Sequence, residues 1–154
     1  MIRLVVTGKL KERYLAEGEA EYMKRLRGWW AMDVLELAGS KLADPVAAAR
    51  EEAIAQLRAL DGWQGAVVVL SEDGRWAPDS VAFSGTLTAW RDAGRDVMIL
   101  VGGASGFMPE VKARADKLMT LSALTFPHQM VRFFMAEQLY RAMTIDAGHP
   151  YHRS

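Results

Sequence analysis

The chain contains no cysteine. That absence excludes a disulfide framework, a thiolate zinc site, an iron–sulfur cluster and a cysteine nucleophile, and it fits a reducing compartment. Excess charge of either sign is also missing, since 19 Lys and Arg face 19 Asp and Glu. Any affinity for nucleic acid must therefore come from a local patch and not from a global field. No apolar run approaches a membrane span, and residues 1–8 are too short for a secretory h-region, so the expected location is the cytoplasm with no membrane partner. Repeats, low-complexity stretches and linkers are absent too, which leads to the expectation of a single domain over residues 1–154. Proline is scarce, and four of the five, Pro45, Pro78, Pro109 and Pro127, stand where a helical pattern opens. What is present is ordinary: 51% hydrophobic and 25% charged residues, in a chain long enough for a real core.

The segment "IRLVVTG" (residues 2–8) is β-branched, apolar and closed by glycine, so it reads as a first strand. A helical pattern follows from Lys9 to Arg27, with Leu15, Tyr22 and Leu26 near one face. "AMDVLELAG" reads as a second strand. Asp44 and Pro45 then form an N-cap and first-turn proline, opening a helix expected to carry Ile54 and Leu57 inward. "GAVVVLSEDG" and "DVMILVGG" are continuous apolar runs, the form of strands buried on both faces. Between them Pro78, Asp79 and Ser80 start a helix with Phe83, Leu87 and Trp90 at i, i+4 and i+7. Pro109 starts a short charged helix, "MTLS" (residues 119–122) is expected as a brief strand, and Pro127 opens a final helix to about Ile145. Strands alternate with helices, which predicts an α/β domain with a mostly parallel sheet covered on both faces.

Ligands of open parallel sheets sit beyond the carboxyl ends of the strands. Three unusual loops fall there: "LSEDG" from Leu70, "VGGASGF" from Val101, and "LSALTFPH" from Leu121. The glycine loop lacks G-x-G-x-x-G spacing and a following Lys-Ser/Thr, which argues against a dinucleotide fingerprint or a P-loop. It is either a tight turn or a place where Gly102 and Gly103 let backbone groups approach a flat ligand. "LSALTFPH" is either a plain core connection or a binding loop whose main chain reads an adenine edge while Leu124 and Phe126 cover its faces. The final helix is apolar nearly all round, through Met130, Val131, Phe133, Phe134, Met135, Leu139, Tyr140 and Met143, which favours a subunit interface. Glu137 and Arg141 make an i, i+4 pair of the kind common on surfaces, whereas Arg132 stands alone in an apolar stretch. His149 and His152 near the terminus invite a metal reading, but no cysteine is present and Pro150 breaks the spacing, so no metal is expected. Lys and Arg outnumber Asp and Glu in residues 1–27, ahead of Trp29 and Trp30; this is a solvated helix face or an RNA contact.

"GGASGF", "LSALTFPHQMVRFFMAEQLYRA" and "HPYHR" together resemble the SPOUT-superfamily RNA methyltransferases, in particular the small family that methylates N3 of a pseudouridine in bacterial 23S ribosomal RNA. The likeness spans essentially the whole chain and includes "GKLKERYLAEGEAEYMKRL". It implies an α/β fold with a C-terminal trefoil knot, a topology too rare to argue from periodicity. It also implies S-adenosylmethionine as cofactor and a homodimer as working unit. Position by position, the resemblance places the cofactor loops at Leu70, at Gly102 and Gly103, and at Ser122, Ala123, Leu124, Thr125, Phe126 and Pro127. The "HPYHR" tail of one subunit is expected near the cofactor of the other. Where the family often has Asp after Leu70, this chain has Ser71.

Methyl transfer from a sulfonium is an in-line displacement, so the protein must chiefly align the acceptor nitrogen. N3 of pseudouridine carries a proton that has to leave, which calls for a base or a nearby cation. His152 is the natural base, Tyr151 is placed to stack on the nucleobase, and Arg132 and Arg153 are expected to hold phosphate or offset anionic charge. The substrate is expected to be 23S ribosomal RNA in the large subunit or whole ribosome. Two other classes compete: a non-catalytic ribosome-associated factor with a SPOUT-like fold, and a flavodoxin-like nucleotide enzyme.

Overall fold

The computed structural model describes residues 1–77 and 79–153; the helix-opening role expected of Pro78 lies outside the described residues. In chain order the elements are β1 (Ile2–Thr7), α1 (Arg13–Arg25), β2 (Met32–Leu37), α2 (Pro45–Leu60), β3 (Ala66–Leu70), α3 (Ser80–Asp92), β4 (Val97–Val101), α4 (Pro109–Lys112), β5 (Lys117–Met119) and α5 (His128–Asp146). The five strands form one sheet in the order β2-β1-β4-β3-β5, and every pairing is parallel. The doubly covered sheet expected from the continuous apolar runs is what the chain forms. β3 and β4 are buried at every residue, and their side chains alternate between two cores. Ala66, Val68 and Leu70 face a core that includes Leu26, Phe83, Leu87, Met135 and Leu139. Val67 and Val69 face a second core with Ala53, Leu60 and Val111. Helices α1, α3 and α5 therefore cover one face, and α2 and α4 the other.

Side-chain caps explain two of the helix starts. The Asp44 carboxylate accepts the Ala47 N–H at 2.7 Å, and Asp79 accepts the Ala82 N–H at 2.8 Å, each satisfying one otherwise orphaned donor of a first turn. Two expectations need correction. Ile54 does not point inward; it is 56% exposed. The inner face of α2 is instead Ala48, Ala49, Glu52, Ala53, Gln56 and Leu60. Small residues let the helix sit close, and each polar one is partnered through one atom. Glu52 Oε1 accepts the Ser40 N–H at 2.8 Å, and the Gln56 amide N–H donates to Thr7 Oγ1 at 3.0 Å, whereas Glu52 Oε2 and Gln56 Oε1 have no partner among the described residues. The last strand is also displaced from "MTLS". β5 ends at Met119, because Thr120 turns in to donate its hydroxyl to the Ser122 carbonyl at 2.8 Å, leaving residues 120–127 as a loop.

From β1 the chain leaves toward β2, while from β4 it leaves toward β5. The carboxyl ends of these neighbouring strands thus frame the switch point of the sheet, where open α/β folds place ligands. Helix α5 packs between α1 and α3, with its first turn beside that crevice: the Lys11 N–H donates to Gln129 Oε1 at 2.9 Å.

Candidate active site

Four loops meet at the carboxyl ends of the strands. After β3, the Ser71 N–H donates to the Met119 carbonyl at 2.8 Å, which pins the turn to β5. Gly74 closes this turn so tightly that a Cβ there would lie 2.3 Å from the Met119 carbonyl carbon, so only glycine fits without moving backbone. Asp73 stands two residues beyond Ser71 in this turn. The Ser71 hydroxyl donates to Asp73, and Lys112 Nζ lies 3.3 Å from it. The Ser71 bond first, and Lys112 second, hold the Asp73 carboxyl below its ordinary range.

After β4, a Cβ on Gly102 would sit 3.0 Å from the Phe107 ring, and one on Gly103 would sit 3.3 Å from both Glu52 carboxylate oxygens. In the 120–127 loop, Ser122 Oγ accepts the Leu124 N–H at 3.0 Å. Phe126 turns inward and meets Phe134 edge-on, at 5.3 Å between centroids. Leu124 is 73% exposed, so of the two side chains expected to cover an adenine only Phe126 lines a cavity.

That cavity, about 290 Å³, lies between the start of α3 and the outer side of α5; Phe126, Leu121, Phe134, Ser80, Glu137 and Gln138 are among its walls. Its volume is at the low end of small-molecule sites. A second cleft, about 10 Å³, opens at the β1/β4 switch point against Gly102, His128 and Arg132. The expected cofactor residues are therefore gathered on neighbouring loops but not around one cavity. Phe126 lines the larger space and Gly102 the smaller, while Gly103 faces Glu52. Leu70, Ser122, Ala123, Leu124, Thr125 and Pro127 border neither.

Arg132 is only 7% exposed and directs its guanidinium at two carboxylates. It donates to Glu19 at 2.5 and 2.7 Å and to Glu36 at 2.5 Å. Burial opposes its charge, but the hydrogen bonds it donates to Glu19 and Glu36 outweigh that and hold its pKa above the ordinary arginine value. A phosphate-holding role does not fit this enclosure, because an RNA backbone would have to displace buried partners.

The tail is ordered against its own chain. Gly148, at φ +69°, reverses the backbone after α5, and the His149 N–H closes on the Thr144 carbonyl at 2.8 Å. Tyr151 then lies back along the helix. Its hydroxyl donates to Glu137 at 3.1 Å and sits 3.4 Å from that of Tyr22, its ring meets Tyr140 edge-on at 4.8 Å, and the Arg141 guanidinium lies 4.9 Å above it. Arg141 also reaches His152 Nδ1 at 3.3 Å and pairs with Glu137 at 2.6 Å. Desolvation first, then the Tyr22 contact and Glu137, raise the Tyr151 phenol above its ordinary pKa. Arg153 is exposed. By spacing Glu137 and Arg141 are an ordinary i, i+4 surface pair; in the fold they are the seat of the tail, and Glu137 also forms part of the cavity wall. The one available signal was their position on a helix whose other faces are apolar.

The basic-aromatic cluster divides. Lys9 and Lys11 are exposed on the loop after β1, at the carboxyl end of the sheet. Trp29 and Trp30 lie at the opposite end, because α1 carries the chain back to the start of β2. Trp29 donates to Asp146 at 2.9 Å, and Arg91 stacks over its ring. Both tryptophans pack on the main core.

The family model described as predicted SPOUT methyltransferase matches residues 1–152. The chain belongs to that family. Among its relatives, the protein named ribosomal RNA large subunit methyltransferase H from Alkalilimnicola ehrlichii is 43% identical, over 99% of each chain. One of the same name from a Synechococcus species is 41% identical over 99% of this chain and 95% of its own. Two solved structures share the fold. A probable methyltransferase from Bordetella pertussis superposes with a TM-score of 0.57 at 14% identity, over 92% of this chain and 95% of its own. A probable methylase family protein from Haemophilus influenzae gives 0.56 at 14% identity, over 99% and 70%.

A methyltransferase needs a methyl donor, and the larger cavity is the space these residues offer one. Apolar walls at Phe126, Leu121 and Phe134 offer flat contact, and the rim carries the Glu137 carboxylate and the Gln138 amide. Gly102 and Gly103 bring bare backbone to the adjoining loop.

Proposed function

We propose that this protein is an S-adenosylmethionine-dependent methyltransferase acting on N3 of a pseudouridine in 23S ribosomal RNA, within the large subunit or assembled ribosome, in the cytoplasm. Support for the substrate comes from the full-length similarity to relatives named ribosomal RNA large subunit methyltransferase H. The geometric observation that carries the site is Glu137, whose carboxylate lines the cavity closed by Phe126 and also receives the Tyr151 hydroxyl. One side chain thus stands in the cavity wall and also seats the tail that the dimer is to present to the partner's site.

On this reading the loops at Leu70, Gly102–Gly103 and Ser122–Pro127 hold S-adenosylmethionine. When bound, it supplies an electrophilic methyl group on a sulfonium. The chain's own residues align the base and deal with its proton. Tyr151 presents a ring for stacking, His152 accepts the N3 proton, and Arg153 with Lys9 and Lys11 contacts phosphate. Arg132 serves by fixing α5 under the site. The functional unit is a homodimer built on the half-buried apolar residues of α5, with the knotted topology of the family and the tail of each chain serving its partner's site. The chain is one methyltransferase domain.

The test is transfer of labelled methyl groups from S-adenosylmethionine to assembled ribosomes, isolated large subunits and naked unmodified RNA in parallel. Transfer to ribosomes is expected to exceed transfer to a naked stem-loop. With a zero net charge few phosphates are engaged, so the salt dependence is shallow, each contact contributing a log–log slope of about −0.7 to −0.9. Equal turnover on a short stem-loop contradicts the ribosomal substrate, and absence of cofactor binding favours the non-catalytic factor.

A further inference from the structure

A buried polar cluster lies beneath the glycine loop on the α2 side of the sheet, and neither the sequence reading nor the proposed chemistry uses it. Glu52 is 7% exposed and Gln56 1% exposed, one helical turn apart on the inner face of α2. Glu52 Oε1 accepts the Ser40 N–H at 2.8 Å, which ties the β2–α2 loop to the helix. Glu52 Oε2 has no hydrogen-bond partner among the described residues. Buried carboxylate oxygens are rarely left so, because desolvation without a compensating donor is unfavourable. The nearest loop is Gly103, whose missing Cβ would stand 3.3 Å from both carboxylate oxygens and 3.4 Å from the Thr7 methyl. Any side chain at 103 would press on Glu52. Donors lie on the same turn: among the described residues neither the Gly103 N–H nor the Ala104 N–H donates a hydrogen bond, whereas the Gly106 N–H closes onto the Gly103 carbonyl at 3.2 Å.

We propose that Glu52 is a positioning residue for the cofactor loop: when the methyl donor binds, its free oxygen accepts a backbone N–H of the Gly103–Ala104 segment and so fixes the turn on which the donor rests. The proposal rests on the methyltransferase reading, in which Gly102 and Gly103 touch that donor. An acidic side chain is needed because two N–H groups must be accepted, one from Ser40 and one from the loop, and the amide of glutamine offers a single acceptor oxygen. The action passes through backbone, not through charge. It therefore bears equally on the cationic donor and on its neutral thioether product.

The experiment compares wild type with Glu52→Gln by calorimetric titration of S-adenosylmethionine and S-adenosylhomocysteine, with thermal unfolding as the check on folding. Loss of one charge-assisted hydrogen bond is expected to raise both dissociation constants by about tenfold and by the same factor. Backbone amide exchange in the wild-type protein is the second measurement, and saturating S-adenosylhomocysteine is expected to slow exchange at Gly103 or Ala104. Unchanged affinity in Glu52→Gln, or no slowing at either amide, overturns the proposal. Weakening confined to S-adenosylmethionine overturns it as well, since that marks direct attraction to the sulfonium. Wild-type protein that binds neither nucleoside overturns the methyltransferase reading and this proposal with it, whereas normal wild-type binding retained in Glu52→Gln removes this proposal alone.

Discussion

Two side chains show how burial decides what a residue can do. Arg132 sits between Glu19 and Glu36, and Glu19 is as enclosed as the arginine itself. Removing the cation leaves an uncompensated buried carboxylate, so Arg132→Met is expected to lower unfolding stability by about 3 kcal/mol in urea titration. Adding Glu19→Met should restore most of that loss, because an apolar pair of similar volume needs no compensation. A stable, inactive Arg132→Met protein would instead mean that the arginine touches substrate. Tyr151 is shifted in the same direction as Arg132, but as an acid that burial keeps protonated. Its folded pKa lies above its unfolded value near ~10, so the contribution of the protonated phenol is present below that pH and fades as pH rises toward the folded value. Absorbance titration is therefore expected to show the same tyrosinate yield in wild type and Tyr151→Phe until alkaline unfolding begins. An extra early tyrosinate in the wild type would contradict the seating on Glu137 and Tyr22.

At the level of elements, the last turn of α5 is fastened to α3 and to the loop after α1 through one carboxylate. Asp146 accepts from Arg91 at 2.6 Å, from Trp29 at 2.9 Å and from Thr88 at 3.2 Å. The Arg91 bond is the largest cause of its depressed pKa, burial works against it, and Trp29 adds to the depression. A depressed acid stabilises the fold above its unfolded pKa, and the effect disappears as pH falls through the folded one. Stability of the wild type should thus decline below about pH 4, and Asp146→Asn should flatten that part of the pH profile while lowering stability at neutral pH. These fastenings were the part of the fold that the sequence concealed. β3 and β4 were legible because strands buried on both faces need no alternation, and the helix starts because Asp44 and Asp79 act on donors three residues away. Glu19 lies 113 positions from Arg132, so nothing local distinguishes it from a solvated acid on an amphipathic helix. Ile54 was misplaced for a related reason: α2 is held by Glu52 and Gln56, polar side chains whose burial depends on partners in other elements. Of the site, the three loops could be read from glycine, proline and their position after strands. Their division between two cavities could not, since it depends on how α5 returns across the sheet.

For the molecule as a whole, the proposed dimer has a direct test. Chains carrying Gly103→Val, which crowds Glu52 and the cofactor loop, are mixed with chains truncated before His149. If each tail serves its partner, one site of every heterodimer has both halves intact, and partial recovery of methyl transfer is expected once subunits exchange. No recovery in demonstrated heterodimers would assign each tail to its own chain, beside the Glu137 on which it lies. The strand order carries a different consequence, for synthesis. β1 is central and pairs with β4, yet Val97 is translated 95 residues after Ile2. At roughly 5–20 residues per second, the nascent first strand waits on the order of 5–20 s for that neighbour. Until then its apolar edge has β2 alone beside it, so truncated chains ending before β4 expose an unpaired strand and are prone to aggregate. A protein proposed to modify ribosomes thus has a fold that closes only late in its own translation.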